Sequence, residues 1–187
     1  MRAPSKSFCA SVIFLFAASS LALAQTIAAR SVEIAGSVGY DGHFVYGGSG
    51  VYNLSHVVAV GFGYKYRPVS SNDHVQTYGG FARFSSGTSG TTIPYILAGG
   101  GAADYEGIAF PQVGPLIGFN ASQRGYYLAF GGGVTILPRP RWGIRPEASF
   151  ERLQYIANSI YPAAAQNHIQ VGVSAFYQFG GRLPQKK

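Results

Sequence analysis

The sequence predicts an all-β fold: an eight-stranded antiparallel transmembrane up-and-down β-barrel, preceded by a cleavable signal peptide. Three observations carry that reading. Apolar residues alternate with polar or small ones over eight separate stretches, the two-residue period of strands with unlike faces. The chain is only 11% charged yet 14% aromatic, with 26 glycines in 187 residues. After the N-terminus no stretch approaches the roughly 18 uninterrupted apolar residues of a spanning helix. A membrane would have to be crossed by strands.

The N-terminus reads as an export signal. Arg2 and Lys6 precede the apolar run "SVIFLFAASSLALA", which closes on Ala22-Leu23-Ala24 before Gln25, a small-x-small cleavage pattern. Residues 1–24 are thus the expected signal peptide, and 25–30 a short periplasmic segment. A retained membrane helix is the alternative, disfavoured by length and flanks. Cys9 is the only cysteine and lies away from the cleavage point, so neither lipid attachment nor a disulfide is expected. About 160 residues remain, enough for one domain. The net charge of +7 becomes +5 once the two charges of Arg2 and Lys6 leave. The remaining cations are scattered along the chain, without the basic cluster of a nucleic-acid site.

Each strand follows from its alternation. "SVEIAGSVGY" (31–40) sets Val32, Ile34, Val38 and Tyr40 against Ser31, Glu33, Ala35, Ser37 and Gly39. "HVVAVGFGYKY" (56–66) sets Val58, Val60, Phe62, Tyr64 and Tyr66 against a small face that ends in Lys65. "GYYLAFGGGVTIL" (125–137) and "WGIRPEASFE" (142–151) behave alike, as does "HIQVGVSAFYQFGG" (168–181). Less regular segments near 45–53, 75–86 and 93–105 complete eight, the even number an antiparallel membrane barrel requires. Pro146 stands in mid-strand, where it removes a ladder donor.

The connections alternate as well. "NLSH" (53–56) and "LPRPR" (137–141) are tight, and "SGTSGTT" (86–92) is modest. "RPVSSND" (67–73), residues 106–124 and "IANSIYPAAAQN" (156–167) are longer, which suits short periplasmic turns and longer external loops. The link "DGH" (41–43) is short where a long loop is expected.

Charge and aromatics fix which face meets lipid. An Arg at the bilayer midplane costs roughly 2–4 kcal/mol, so Arg145, Glu147 and Glu151 should face the lumen, with Glu33 and Arg83 beside them. Paired charges would stiffen a narrow, side-chain-filled interior; an ion- or proton-conducting lumen is the alternative. The lipid face should end in an interfacial girdle of Tyr64, Tyr66, Trp142, Phe150, Tyr177 and Phe179. Trp142 and Phe150 lie eight residues apart, about 21 Å of membrane height on a tilted strand. Arg152 falls on the same face beyond Phe150, within reach of a headgroup phosphate.

The motifs "YYLAFGGGVTI…RPRWGIRPEASFERLQY" (126–155) and "QNHIQVGVSAFYQFG" (166–180) resemble the small OmpA/OmpX-like outer-membrane β-barrel family. The resemblance covers residues 31–180 and leaves 181–187 as a polar basic tail. It implies the outer membrane of a diderm bacterium, export by the Sec pathway, and both termini in the periplasm. It also implies a monomer in contact with outer-membrane lipids and lipopolysaccharide. The closing strand resembles the signal read by the barrel-assembly machinery, here Gln170, Gly172, Tyr177 and Phe179, with periplasmic chaperones escorting the chain. Ala175 stands where an aromatic is usual.

The expected function is therefore that of a non-enzymatic outer-membrane barrel, contributing to envelope structure or to surface adhesion or binding through its external loops. A lipid-modifying enzyme of the lipid A deacylase or acyltransferase type is one alternative. Such deacylases place a His and a Ser two apart on a late strand; here Gln170 follows His168. Asp73-His74 with Ser70 and Ser71 is the one catalytic-looking cluster, of residues equally at home in any loop. A soluble periplasmic lipocalin-like barrel is the other alternative. No spacing suggests a metal site or a cofactor, and "GGGAAD" (99–104) lacks the strand–helix context of a nucleotide fingerprint.

Overall fold

In the computed structural model, which describes residues 27–86, 92–109, 119–139 and 141–181, the alternating segments form eight strands. They are β1 (Ser31–Tyr40), β2 (Phe44–Asn53), β3 (Val58–Pro68), β4 (His74–Ser85), β5 (Thr92–Ala109), β6 (Phe119–Arg139), β7 (Trp142–Tyr155) and β8 (Ala164–Gly180). Each pairs with the next, and β8 returns to β1 in an antiparallel ladder from Ser31–Gly180 to Tyr40–Val171. The barrel is closed and leaves no unpaired side at its waist. Several expected features lie outside the described residues: the signal peptide, positions 25 and 26, the turn centre 87–91, the loop tip 110–118, Pro140, and the tail from 182.

Alternation sorts the side chains between two very different walls. Outward, Ile34, Phe62, Leu128, Phe130 and Ile169 are 58–73% exposed, while inward Glu33 and Glu151 are 0% exposed. Charges inside and large hydrophobics outside invert the arrangement that water favours. A soluble barrel around an apolar ligand cavity does not fit these walls.

The narrow interior explains two of the inward glycines. Phe81 of β4 points into the lumen against β3 and β5. A Cβ at Gly61 would come within 2.6 Å of the Phe81 ring, and one at Gly99 within 2.6 Å of the Gly80 carbonyl oxygen and 2.7 Å of Phe81 Cβ. Contacts that short are repulsive, so the ring fits because Gly61 is bare, and β5 lies this close to the β4 backbone because Gly99 is.

The wall is uneven in height. The link "DGH" is indeed the whole β1–β2 connection, Asp41–His43, whereas β5 and β6 run 18 and 21 residues. The expected third loop 106–124 is therefore corrected. Its flanks pair as strand, from Glu106–Ser122 to Ala109–Phe119, and only the tip lies between them. Likewise β8 begins at Ala164, inside the expected loop 156–167, and β3 continues to Pro68. Strand persists because its edges find partners above the barrel. Asp73 Oδ1 accepts from the Ile108 amide at 3.2 Å, and the Arg124 carbonyl accepts from the Ile156 amide at 2.9 Å. Gln123 Nε2 donates to the carbonyls of Ile156 and Pro162 at 3.1 and 2.8 Å.

Pro146 also finds its explanation. Between Gly133–Glu147 and Ile136–Ile144 the β6–β7 ladder makes no residue pair, and Pro146 lies in that gap. Its missing amide falls where no partner is engaged.

The segment before β1 turns into the barrel instead of trailing away. Arg30 adopts a left-handed φ of 56°, which folds Ile27 and Ala28 into the lumen, where they are 2% and 1% exposed. Ile27 packs with Ala35, Ile93, Leu137 and Phe176. Its carbonyl lies 2.6 Å from His56 Nδ1.

Candidate functional site

The lumen is the candidate site, and it is layered. Nearest the end where β1 begins and β8 finishes is the apolar group around Ile27 and Phe176. Above it, Glu33 of β1 accepts from Arg83 Nη1 at 3.2 Å and Nη2 at 3.1 Å. It also accepts from Arg145 Nη2 at 2.5 Å and from Asn53 Nδ2 at 2.8 Å. Asn53 Oδ1 accepts in turn from Arg83 at 2.9 Å. Arg145 Nε donates to Thr135 Oγ1 at 3.1 Å, and the guanidinium lies 3.7 Å from the Phe176 ring centroid. Two cations, one carboxylate and an amide thus pair with one another away from the surface, the condition under which charges can be buried, although Arg83 Nε is left without a partner.

A second layer lies toward the loop end. Glu151 of β7 pairs with Lys65 and, at 3.2 Å, with Arg67. Arg67 also pairs with Asp41 at 2.6 Å, and Lys65 Nζ donates to Gln170 Oε1 at 2.9 Å. Beyond it, Val75, Ala103, Leu153 and Tyr155 form a second apolar group with Tyr105 and Tyr127 packed against it. Between the charged layers is a cavity of about 110 Å³, bordered by Arg83, Arg145 and Glu147 below and by Lys65 and Glu151 above. Glu147 accepts there from the Tyr95 hydroxyl at 2.8 Å.

The five inward charges expected from the sequence therefore separate. Glu33, Arg83 and Arg145 meet; Glu151 belongs to the other layer; Glu147 borders the cavity. Lys65, Arg67, Asp41 and Asn53 also belong to these layers, although the sequence reading does not include them. Lys65 shares the inward parity of its strand, a usable signal. Arg67 and Asp41 fall in expected loops, and only the register brings them over Glu151.

The aromatic positions face outward. Trp142 is paired across strands with Tyr177 on one side and Arg139 on the other. Tyr177 and Phe179 form an edge-on pair at 4.8 Å. Tyr64 donates from its hydroxyl to Gln76 Oε1 at 3.1 Å. Tyr66 is half-buried beneath the His74 ring, 5.1 Å away. Phe150 lies between Phe130 and Ile169, with Arg152 exposed beyond it. On the closing strand, Gln170 and Gly172 point inward.

At the loop end, Asp73, His74 and Ser70 do not assemble a nucleophile and base. Ser70 Oγ donates to Asp73 Oδ2 at 2.8 Å and caps the turn amides of Asn72 and Asp73. His74 turns instead to Gln76 at 3.0 Å and Glu106 at 3.4 Å. The Ser70 hydroxyl and the Ile108 amide hold the Asp73 carboxyl below the usual aspartate range. The cluster is a braced turn. Among the described residues no group of three or more His, Cys, Asp or Glu is arranged to hold a metal.

Three solved structures share this architecture. The N-terminal β-barrel domain of Pseudomonas aeruginosa OprF is 18% identical, the match covering 82% of this chain and 100% of that one, with a TM-score of 0.60. A major outer membrane protein from Thermus thermophilus is 10% identical, covering 80% and 99%, with a TM-score of 0.56. Neisserial surface protein A is 13% identical, covering 80% and 94%, with a TM-score of 0.53. No protein-family model matches the sequence. No curated protein matches it either. At these identities the likeness is one of fold: the chain is a closed eight-stranded antiparallel barrel with the architecture of the small OmpA/OmpX-like outer-membrane barrels.

Proposed function

We propose that this protein is a non-enzymatic outer-membrane barrel, which strengthens the envelope and presents a binding or adhesive surface through its raised external rim. The observation that supports it most is the inversion of the walls. Hydrophobic side chains cover the outside, and ion pairs fill the inside. In this reading the end with both termini lies in the periplasm, and the tall β5–β8 wall stands outside the cell. Trp142, Phe150, Tyr64, Tyr66, Tyr177 and Phe179 form the interfacial girdle. The chain is exported by the Sec pathway and folded as a monomer by the barrel-assembly machinery, which reads Gln170, Gly172, Tyr177 and Phe179. Its surroundings are phospholipid and lipopolysaccharide.

The test is fractionation combined with gel migration. The protein is expected in the outer-membrane fraction, and to migrate differently in detergent before and after heating. A monomer that stays soluble without detergent would sink the reading. On the non-enzymatic point, Asp73→Ala with His74→Ala is expected to leave lipid A acylation as it was; a changed acylation pattern would favour the enzyme.

A further inference from the structure

The scattered cations of the sequence are gathered by the fold. The chain has seven Asp and Glu residues in all. Glu33, Glu147 and Glu151 line the lumen, while Asp41, Asp73, Asp104 and Glu106 belong to the loop end. None is left on the rim that carries the termini. That rim bears exposed Arg30, Arg139 and Arg141, and the sequence beyond it continues with Arg182, Lys186 and Lys187. At the opposite end, which holds four carboxylates, Arg124 lies 4.0 Å from Asp104.

We propose that this rim binds the anionic headgroups of phospholipids in the adjoining leaflet, with Arg139 and Arg141 as the principal contacts. The inference rests on the outer-membrane reading above, which places this leaflet on the periplasmic side. The position of Arg139 selects lipid over a soluble partner. Across the register shift that follows Ile136, it is the cross-strand neighbour of Trp142, which pairs with Tyr177 in turn, so the three stand in one row at this rim with Arg139 exposed. A guanidinium beside an interfacial aromatic row can reach phosphate while its stem stays against the barrel. Arg141 immediately precedes Trp142 and widens the cationic patch. Guanidinium–phosphate contacts are charge-assisted and often bidentate, stronger than a generic attraction.

Trp142 is the only tryptophan in the chain and lies in this patch, so its fluorescence reports on the lipid beside it. The full-length mature protein is folded into phosphatidylcholine vesicles that contain either brominated phosphatidylcholine or brominated phosphatidylglycerol as quencher. Brominated phosphatidylglycerol is expected to quench Trp142 more strongly at equal mole fraction, with a relative binding constant of about fivefold per arginine engaged. The double variant Arg139→Gln/Arg141→Gln should bring that ratio to about one. Its quenching by brominated phosphatidylcholine should be unchanged, which shows that the barrel is still seated. Equal quenching of the wild type by both lipids overturns the proposal, as does a ratio that survives the double substitution. So does sedimentation with peptidoglycan sacculi in the absence of any lipid preference. Quenching by neither lipid means that the barrel never entered the bilayer, which overturns the outer-membrane reading and this proposal with it.

Discussion

At Glu33 two guanidiniums and one amide converge on a single carboxylate that is 0% exposed. Removing it leaves Arg83 and Arg145 facing each other in a narrow lumen. Glu33→Ala should cost about 3–5 kcal/mol, the penalty of breaking a buried pair from one side, measured by urea unfolding in detergent micelles. A loss under about 1 kcal/mol would mean that the interior is wetter than its packing implies. A steric counterpart is Gly61, where a Cβ would lie 2.6 Å from the Phe81 ring. Gly61→Val should destabilise by about 1–3 kcal/mol, and Phe81→Ala, which removes the ring, should restore part of that loss in the double variant. The cost of charge against lipid, with strand alternation, sends Glu33, Arg83, Arg145, Glu147 and Glu151 inward from the sequence. Their partners are not legible there, because Glu33 and Arg145 are 112 residues apart, and only the barrel's curvature sets them face to face.

Among the elements, the β5–β6 hairpin shows how strand continues above the rest of the barrel wall. The loop after β3 holds it through Asp73, and the segment after β7 holds it through Ile156 and Asn158, whose Nδ2 donates to the Ser122 carbonyl at 2.7 Å. Because its hydrogen bonds depress the Asp73 pKa in the folded loop, the sign of the pH effect is fixed. The stabilisation is complete above the ordinary aspartate value near about 4. It is lost as pH falls through the lower, folded value. Amide exchange at Gly107 and Ile108, compared between about pH 6 and about pH 3 after correction for intrinsic rates, should accelerate in acid. In Asp73→Asn the two corrected rates should agree; an acid effect that persists there would exclude Asp73 as the brace. Alternation predicts the strand cores well. It fails at their ends, since whether a residue at 106 or 122 continues a ladder depends on side-chain braces from loops far away in sequence.

Over the whole molecule, the two charged layers are separate closures with a cavity between them. Neither shares a side chain with the other. Energies should therefore add: Glu33→Gln and Glu151→Gln in combination should destabilise by the sum of the single effects, within about 0.5 kcal/mol. In planar bilayers each single variant should conduct no more than the wild type, since the second layer still blocks the path, and only the double variant should show added current. Current from Glu33→Gln alone would place the whole barrier in one layer. The layering is invisible in the sequence, because a two-residue period gives a residue its wall but not its height in the barrel.

A barrel zipped along one seam could come apart along the same seam, and here the seam is bolted. The Ala28 carbonyl accepts from Ser31 Oγ on β1 and from Gln178 Nε2 on β8, and Gln178 also donates to Ser31 Oγ at 2.6 Å. The Arg30 amide reaches the Asn53 carbonyl on β2, while His56 holds Ile27 from the next turn. These residues come from both sides of the joint, so the bolt can slide home only after first and last strands have met. The short segment before β1 thus records completion of the barrel, and for as long as it stays seated it opposes sideways parting of the wall.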